Sequence, residues 1–154
     1  TNNLAQTLRG QGKFDEAEPL YRQVLEARRT QEGENSRETL ILKVNLGRLF
    51  YDQKKFDQAL PFYKSALDGF QATMPDHWMT AATKAYIAES LAGLKRFDEA
   101  ETLMLQAYAE VTKSLAPDHN RARAVAKSAA KLYTDWGKPD QAKPWEEKAA
   151  AAPK

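Results

Sequence analysis

The sequence predicts an all-α protein built from four stacked helix-turn-helix repeats, and three observations carry that expectation. One phrase recurs four times: Gly12-Lys13-Phe14-Asp15-Glu16-Ala17, Lys54-Lys55-Phe56-Asp57-Gln58-Ala59, Lys95-Arg96-Phe97-Asp98-Glu99-Ala100 and Gly137-Lys138-Pro139-Asp140-Gln141-Ala142. Its copies step by 42, 41 and 42 residues between Phe14, Phe56, Phe97 and Pro139. A fixed period of this size marks an architecture in which each unit buries its apolar face against the next. Around every copy, apolar residues recur at spacings of three and four, which places them on one helix face.

The first helix of each repeat precedes the phrase. Its apolar stripe reads Leu42, Leu46, Leu49 and Phe50 in the second repeat, Ile87, Ala88, Leu91 and Leu94 in the third, and Leu132, Tyr133 and Trp136 in the fourth. The second helix follows the phrase, with Phe14, Ala17, Tyr21, Val24 and Leu25 echoed by Phe56, Ala59, Tyr63, Ala66 and Leu67. A short turn between two such stripes makes each repeat an antiparallel helix pair. Ala17, Ala59, Ala100 and Ala142 stand where close helix approach needs a short side chain. Phe14, Phe56 and Phe97 are expected in equivalent buried positions beside them. Pro19, Pro61 and Pro144 are expected in or near the first turn of the second helices, where little backbone bonding is lost.

The corners between repeats are Asn35-Ser36-Arg37-Glu38, Pro75-Asp76-His77 and Pro117-Asp118-His119. Asn35 with Glu38 suits a capping box, and Asp76 and Asp118 suit N-caps after a helix-ending proline. The boundaries so defined are one solenoid over 1–151, with repeats at about 1–34, 35–75, 76–117 and 118–151, and a tail at 152–154.

Composition excludes several function classes. The 154 residues are 42% hydrophobic and 29% charged, ordinary for a folded chain. A net charge of +2 gives no general attraction to nucleic acid or anionic membrane. The absence of cysteine removes thiol nucleophiles, disulfides and thiolate metal sites. No apolar run reaches the roughly 20 residues that a membrane-spanning helix needs. His77 and His119 occupy equivalent corners, about one repeat or 10 Å apart, too far to share a metal. With no nucleophile triad, zinc motif or phosphate-binding glycine loop, no enzyme activity, cofactor or metal is expected. Trp136 and Trp145 fall in the helical stripes and read as core; Trp78 lies off the stripe, just past a corner.

Asn2-Asn3-Leu4-Ala5, then Gln11-Gly12-Lys13-Phe14-Asp15-Glu16-Ala17-Glu18-Pro19-Leu20-Tyr21, together with the Pro-Asp-His corners, resemble the kinesin-light-chain type of tetratricopeptide repeat. The resemblance covers nearly the whole chain and includes the long period, since ordinary repeats of this class run about 34 residues. It departs in the fourth repeat, where Pro139 replaces Phe and Glu146 replaces Tyr, as suits a closing cap. It implies a right-handed α-α superhelix whose first helices line a concave, peptide-binding groove. Thr1 opens in what reads as mid-helix, so the chain is expected to be an excerpt of a larger bacterial protein.

Under that resemblance, the groove candidates are Asn3, Gln6, Arg9, Asn45, Arg48, Tyr86, Arg123, Lys127 and Lys131. Asn3 and Asn45 match the family's asparagines that bond a bound peptide's backbone, a task an amide suits because it both donates and accepts. Ala82, Ala85 and Ala92 leave room in the third repeat, and Tyr86 offers a stacking surface. Arg123, Lys127 and Lys131 make a basic stripe at steps of four. The expected function is a scaffold that holds a protein or peptide segment, acidic by family resemblance, in the groove. The alternative is a regulatory or oligomerisation module within a larger signalling protein such as a bacterial kinase, whose repeat arrays end similarly to Leu132–Pro139. Self-association through the N-terminal end is also expected, because Leu4 and Leu8 lack a preceding neighbour.

Overall fold

A computed structural model describes residues 2–151, which form eight α-helices and no strand; the expected tail at 152–154 lies outside the described residues. The chain divides into two compact units, one ending at Thr73 and the other beginning at Met74.

The first unit holds α1 (Asn2–Gly10), α2 (Phe14–Glu32), α3 (Arg37–Asp52) and α4 (Phe56–Thr73), each packed on the next along the chain. Its core gathers Tyr21, Leu40, Leu46, Leu49, Tyr63 and Phe70 around the short residues Ala5, Ala17 and Ala59. Two glycines let helices touch. A Cβ on Gly47 would sit 2.6 Å from the Tyr63 ring, and one on Gly69 would sit 2.3 Å from Leu40 Cδ2, so neither position has room for alanine. α1 is nine residues long and buries one of them, Ala5, whereas α3 buries nine of sixteen. Leu4 on α1 is half exposed.

The second unit holds α5 (Trp78–Gly93), α6 (Phe97–Ser114), α7 (Asn120–Asp135) and α8 (Pro139–Ala150). Consecutive helices pack together, and the two first helices, α5 and α7, also meet directly. The last pair is closed by aromatics: Phe97 stacks on Trp136 at 5.5 Å, and Tyr108 meets Trp145 edge-on at 4.9 Å. Both tryptophans pack against these rings as caps of the core and are half-buried rather than buried.

All four hairpin turns use one device. Gly12, Lys54, Lys95 and Gly137 occupy the left-handed region, with φ of 75°, 60°, 63° and 77°. Beyond them, the amides of Lys13, Lys55, Arg96 and Lys138 donate back to the carbonyls of Leu8, Phe50, Leu91 and Tyr133 at 2.8–2.9 Å. This is the Schellman closure, which satisfies carbonyls that a helix end would otherwise leave unpaired.

Three sequence expectations need correction. The N-caps are Ser36, His77 and His119, one residue later than Asn35, Asp76 and Asp118. Ser36 Oγ accepts from the Thr39 amide, and the two histidines accept through Nδ1 from Met79 and Arg121 at 3.2 Å. The helices begin at Phe14, Phe56 and Pro139, so Pro19, Pro61 and Pro144 stand sixth, in the second turn. Each removes one interior hydrogen bond rather than an idle donor. Phe14, Phe56 and Phe97 are equivalent, each the first residue of its helix, but half-buried rather than buried. A side chain at a helix's first position covers the hairpin's end, where one side stays open to water. Two lysines of the first helices are buried as well: Lys43 reaches Glu34 and Ser65, and Lys84 reaches Glu110.

Candidate partner-binding site

The period aligns Asn3, Asn45, Tyr86 and Ser128 as one row across the first helices, and Gln6, Arg48, Glu89 and Lys131 as a second. What these rows build differs between the two units.

In the first unit the rows meet a buried polar cluster. Asn45 is 7% exposed and its Nδ2 has no hydrogen-bond acceptor. Arg9 lies at the end of α1 with its side chain 16% exposed; Nε approaches Asp52 Oδ2 at 3.4 Å, and the buried Nη1 has no acceptor. Tyr21 of α2 is fully buried with an unpartnered hydroxyl. Burial pushes its phenol above the ordinary value, while the charges of Arg9 and Arg48 pull it back and Asp52 pushes it up. Asn45, Arg48 and Asp52 fall at steps of three and four along α3 and so share one face. Asn3 and Gln6 are exposed.

In the second unit the rows line a cavity of about 100 Å³ between α5 and α7. Trp78, Ala82, Ala85 and Tyr86 form one wall, and Ala124 and Val125 form the other. The Arg121 guanidinium lies 3.7 Å from the Trp78 ring centroid at one end. At the other end Ser128 donates to Glu89. The histidine caps set the Trp78–Arg121 end, because each begins the helix that carries one of the two residues. Trp78 could not be placed from the sequence because its contact is with Arg121, a residue 43 positions later. Ala92 is buried against the helices and lies outside the cavity wall.

The three side chains of the basic stripe on α7 have different surroundings. Arg123 Nε donates to the Ala149 carbonyl of α8 at 2.9 Å, Lys131 pairs with Asp135, and Lys127 is exposed. Among the described residues, no group of three or more acidic, histidine or cysteine side chains is arranged to hold a metal ion. No helix among them is long and apolar enough to cross a membrane.

The tetratricopeptide repeat profile matches residues 1–72 and 79–154. The chain belongs to the tetratricopeptide repeat family. Solved tetratricopeptide structures show the same fold. BtubC (BKLC) from P. vanneervenii is 20% identical, with a TM-score of 0.80 over 99% of this chain, which spans 65% of that protein. Two kinesin-light-chain structures of nearly identical tetratricopeptide-like repeats from Podosopora anserina, 21% and 20% identical, give TM-scores of 0.80 and 0.74. Each match covers 96% of this chain and 70% or 71% of the other. No curated protein matches by sequence. The all-helical tetratricopeptide fold is therefore that of this chain, its solved neighbours include kinesin-light-chain-like proteins, and such repeats serve in general as scaffolds for protein–protein interaction.

Proposed function

We propose that this tetratricopeptide module holds a short segment of a partner protein along its first helices, without catalysis. The observation that carries this reading is the α5–α7 cavity. Its walls carry Trp78, Tyr86 and several alanines from α5 and α7, the two helices that the family resemblance assigns to the binding face. At about 100 Å³ it suits one side chain, being far below the roughly 300–1,000 Å³ of cofactor and small-molecule sites. Small residues there leave space, and the Trp78 and Tyr86 rings offer contact area with little rotamer entropy to lose.

Ala82→Trp fills the cavity from a half-buried position on α5. Peptides selected from a random dodecapeptide display on the wild type should bind it with micromolar affinity and lose at least about tenfold on this variant, which should melt near the wild-type temperature. Failure to select any peptide, or unchanged binding to the filled cavity, refutes the reading. The acidic preference of the partner does not rest on the α7 stripe, where Arg123 and Lys131 are engaged within the unit.

A further inference from the structure

We propose that His77 and His119 make the second unit an acid-sensitive clasp. Protonation of the two rings releases the first turns of α5 and α7 and, on the reading that the cavity between these helices holds the partner, weakens the hold on it. The period sets Ser36, His77 and His119 in register as the caps of α3, α5 and α7. Ser36 accepts through a hydroxyl oxygen, which needs no change of protonation to do so. The histidines, the only two in the chain, accept through Nδ1 from the amides of Met79 and Arg121, each at 3.2 Å. An imidazole nitrogen accepts only while it lacks a proton, so both caps require the neutral ring with its hydrogen on Nε2.

Proton uptake acts against the caps in three ways, all of one sign. It turns Nδ1 from an acceptor into a donor that faces another donor. It sets a positive charge at a helix N-terminus, where the aligned peptide dipoles already present positive charge. At His77 it also puts a second cation beside Trp78, since the two rings are 5.4 Å apart and the Arg121 guanidinium lies 3.7 Å from the centroid of the same indole. The contact at this end of the cavity is built from the residues that the caps hold. Trp78 is the first residue of α5, next to the amide that His77 accepts, and Arg121 is the residue whose amide His119 accepts. Losing both caps therefore frees both sides of the Trp78–Arg121 contact together.

The neighbouring charges tune this response. Asp76 and Asp118, each immediately before a cap, draw protons toward the rings, and Arg121 repels them. α6 meets the His77 corner through Ser114, whose hydroxyl donates to the Asp76 carbonyl at 2.6 Å, and the charge next to it is the exposed Lys113. α8 meets the first turn of α7 where Arg123 donates to the Ala149 carbonyl, next to the exposed Lys148. These groups set the pH at which the clasp lets go; an imidazole without neighbours gains its second proton at about pH 6.5. The stability that the caps contribute is present above that range and is lost as pH falls through it, because only the unprotonated ring can cap. The first unit, capped by serine, lacks the device.

The test compares the wild type with His77→Asn/His119→Asn, whose caps do not titrate; His77→Ser/His119→Ser, which copies the α3 cap, is the second such pair. From about pH 7.5 to about pH 5 the melting temperature of the wild type should fall by roughly 4–8 °C, and that of either variant by no more than about 2 °C. In the wild type the amide resonances of Met79 and Arg121 should move along the titration curve of the imidazoles, while that of Thr39, capped by Ser36, stays in place. Segments selected on the wild type at about pH 7.5 should bind it about tenfold more weakly at about pH 5, and should lose less than about twofold on the variants. Equal melting shifts in wild type and variants, or a Thr39 amide that moves as far as the other two, overturn the clasp. Acid-sensitive caps with segment binding equal at both pH values overturn its control of the partner. If no segment is selected, the partner-binding reading falls and that control with it, while the melts and the resonances still decide the clasp.

Discussion

Lys54 and Lys95 hold backbone angles that L residues adopt at a cost of roughly 1–2 kcal/mol, while their counterparts Gly12 and Gly137 adopt them freely. Lys54→Gly and Lys95→Gly should each raise stability by about 0.5–1 kcal/mol, because relief of that strain exceeds the extra flexibility glycine gives the unfolded chain. Chemical denaturation checks this through an increased midpoint at unchanged slope. The histidine caps make a second prediction at this scale. His77→Ala leaves the Met79 amide without its acceptor and should lose about 1 kcal/mol, whereas His77→Asn, a strong capping residue, should retain most of the stability. Equal losses in the two variants would show that the imidazole acts through its contact with Trp78, 5.4 Å away, and not as a cap.

At the scale of helices, Phe56 opens α4 half-buried, with its ring edge-on to Tyr51 at 5.3 Å. Phe56→Ala should therefore destabilise by about 1.5–3 kcal/mol, below the 3–5 kcal/mol of a fully enclosed phenylalanine. A thermal melt reads it directly. The helices themselves were legible because apolar spacing and the repeated phrase act locally, and every helix pair follows from them. Cap identity was harder to read: aspartate ranks above histidine as a cap by propensity, yet the chain enters α5 and α7 one residue later, so His77 and His119 face the open amides. The candidate site was only half legible. The period exposes the row Asn3, Asn45, Tyr86 and Ser128, but burial decides which of them matter. Burial depends on neighbours such as Tyr21 and Arg9, which belong to other helices. The partner of Arg123 was illegible for the same reason, since its acceptor is a carbonyl of α8.

For the whole molecule, three tyrosines, one in the first unit and two in the second, have phenols that are harder to ionise than usual. Tyr133 is the strongest case: burial, then the hydrogen bond it donates to Glu101 at 2.7 Å, then that residue's charge, push it up to about 12. Burial also raises Tyr108 and, in the first unit, Tyr21. The unfolded phenol ionises near its ordinary value, about 10, while the folded one still holds its proton. Stability from Tyr133 is therefore fully present below about pH 10 and is lost as pH rises toward 12, on the order of 2 kcal/mol in all. Melting temperatures from pH 8 to 12 should fall steeply over the upper half of that range, and more gently for Tyr133→Phe.

The hairpin turns also set how the chain meets a protease. Lys54-Lys55 and Lys95-Arg96 are exposed dibasic pairs, the bonds that trypsin prefers. A protease active site binds its substrate extended, however, and here the first lysine of each pair is left-handed while the next residue's amide is held by Phe50 or Leu91. Cleavage must wait for a hairpin to open, so its rate measures the open population when reclosing is fast. Nicking after Lys54 and Lys95 should be slow in native buffer and should accelerate with urea in step with the unfolding equilibrium. The most visible cut sites on the surface would then work as a clock for the opening of the core beneath them.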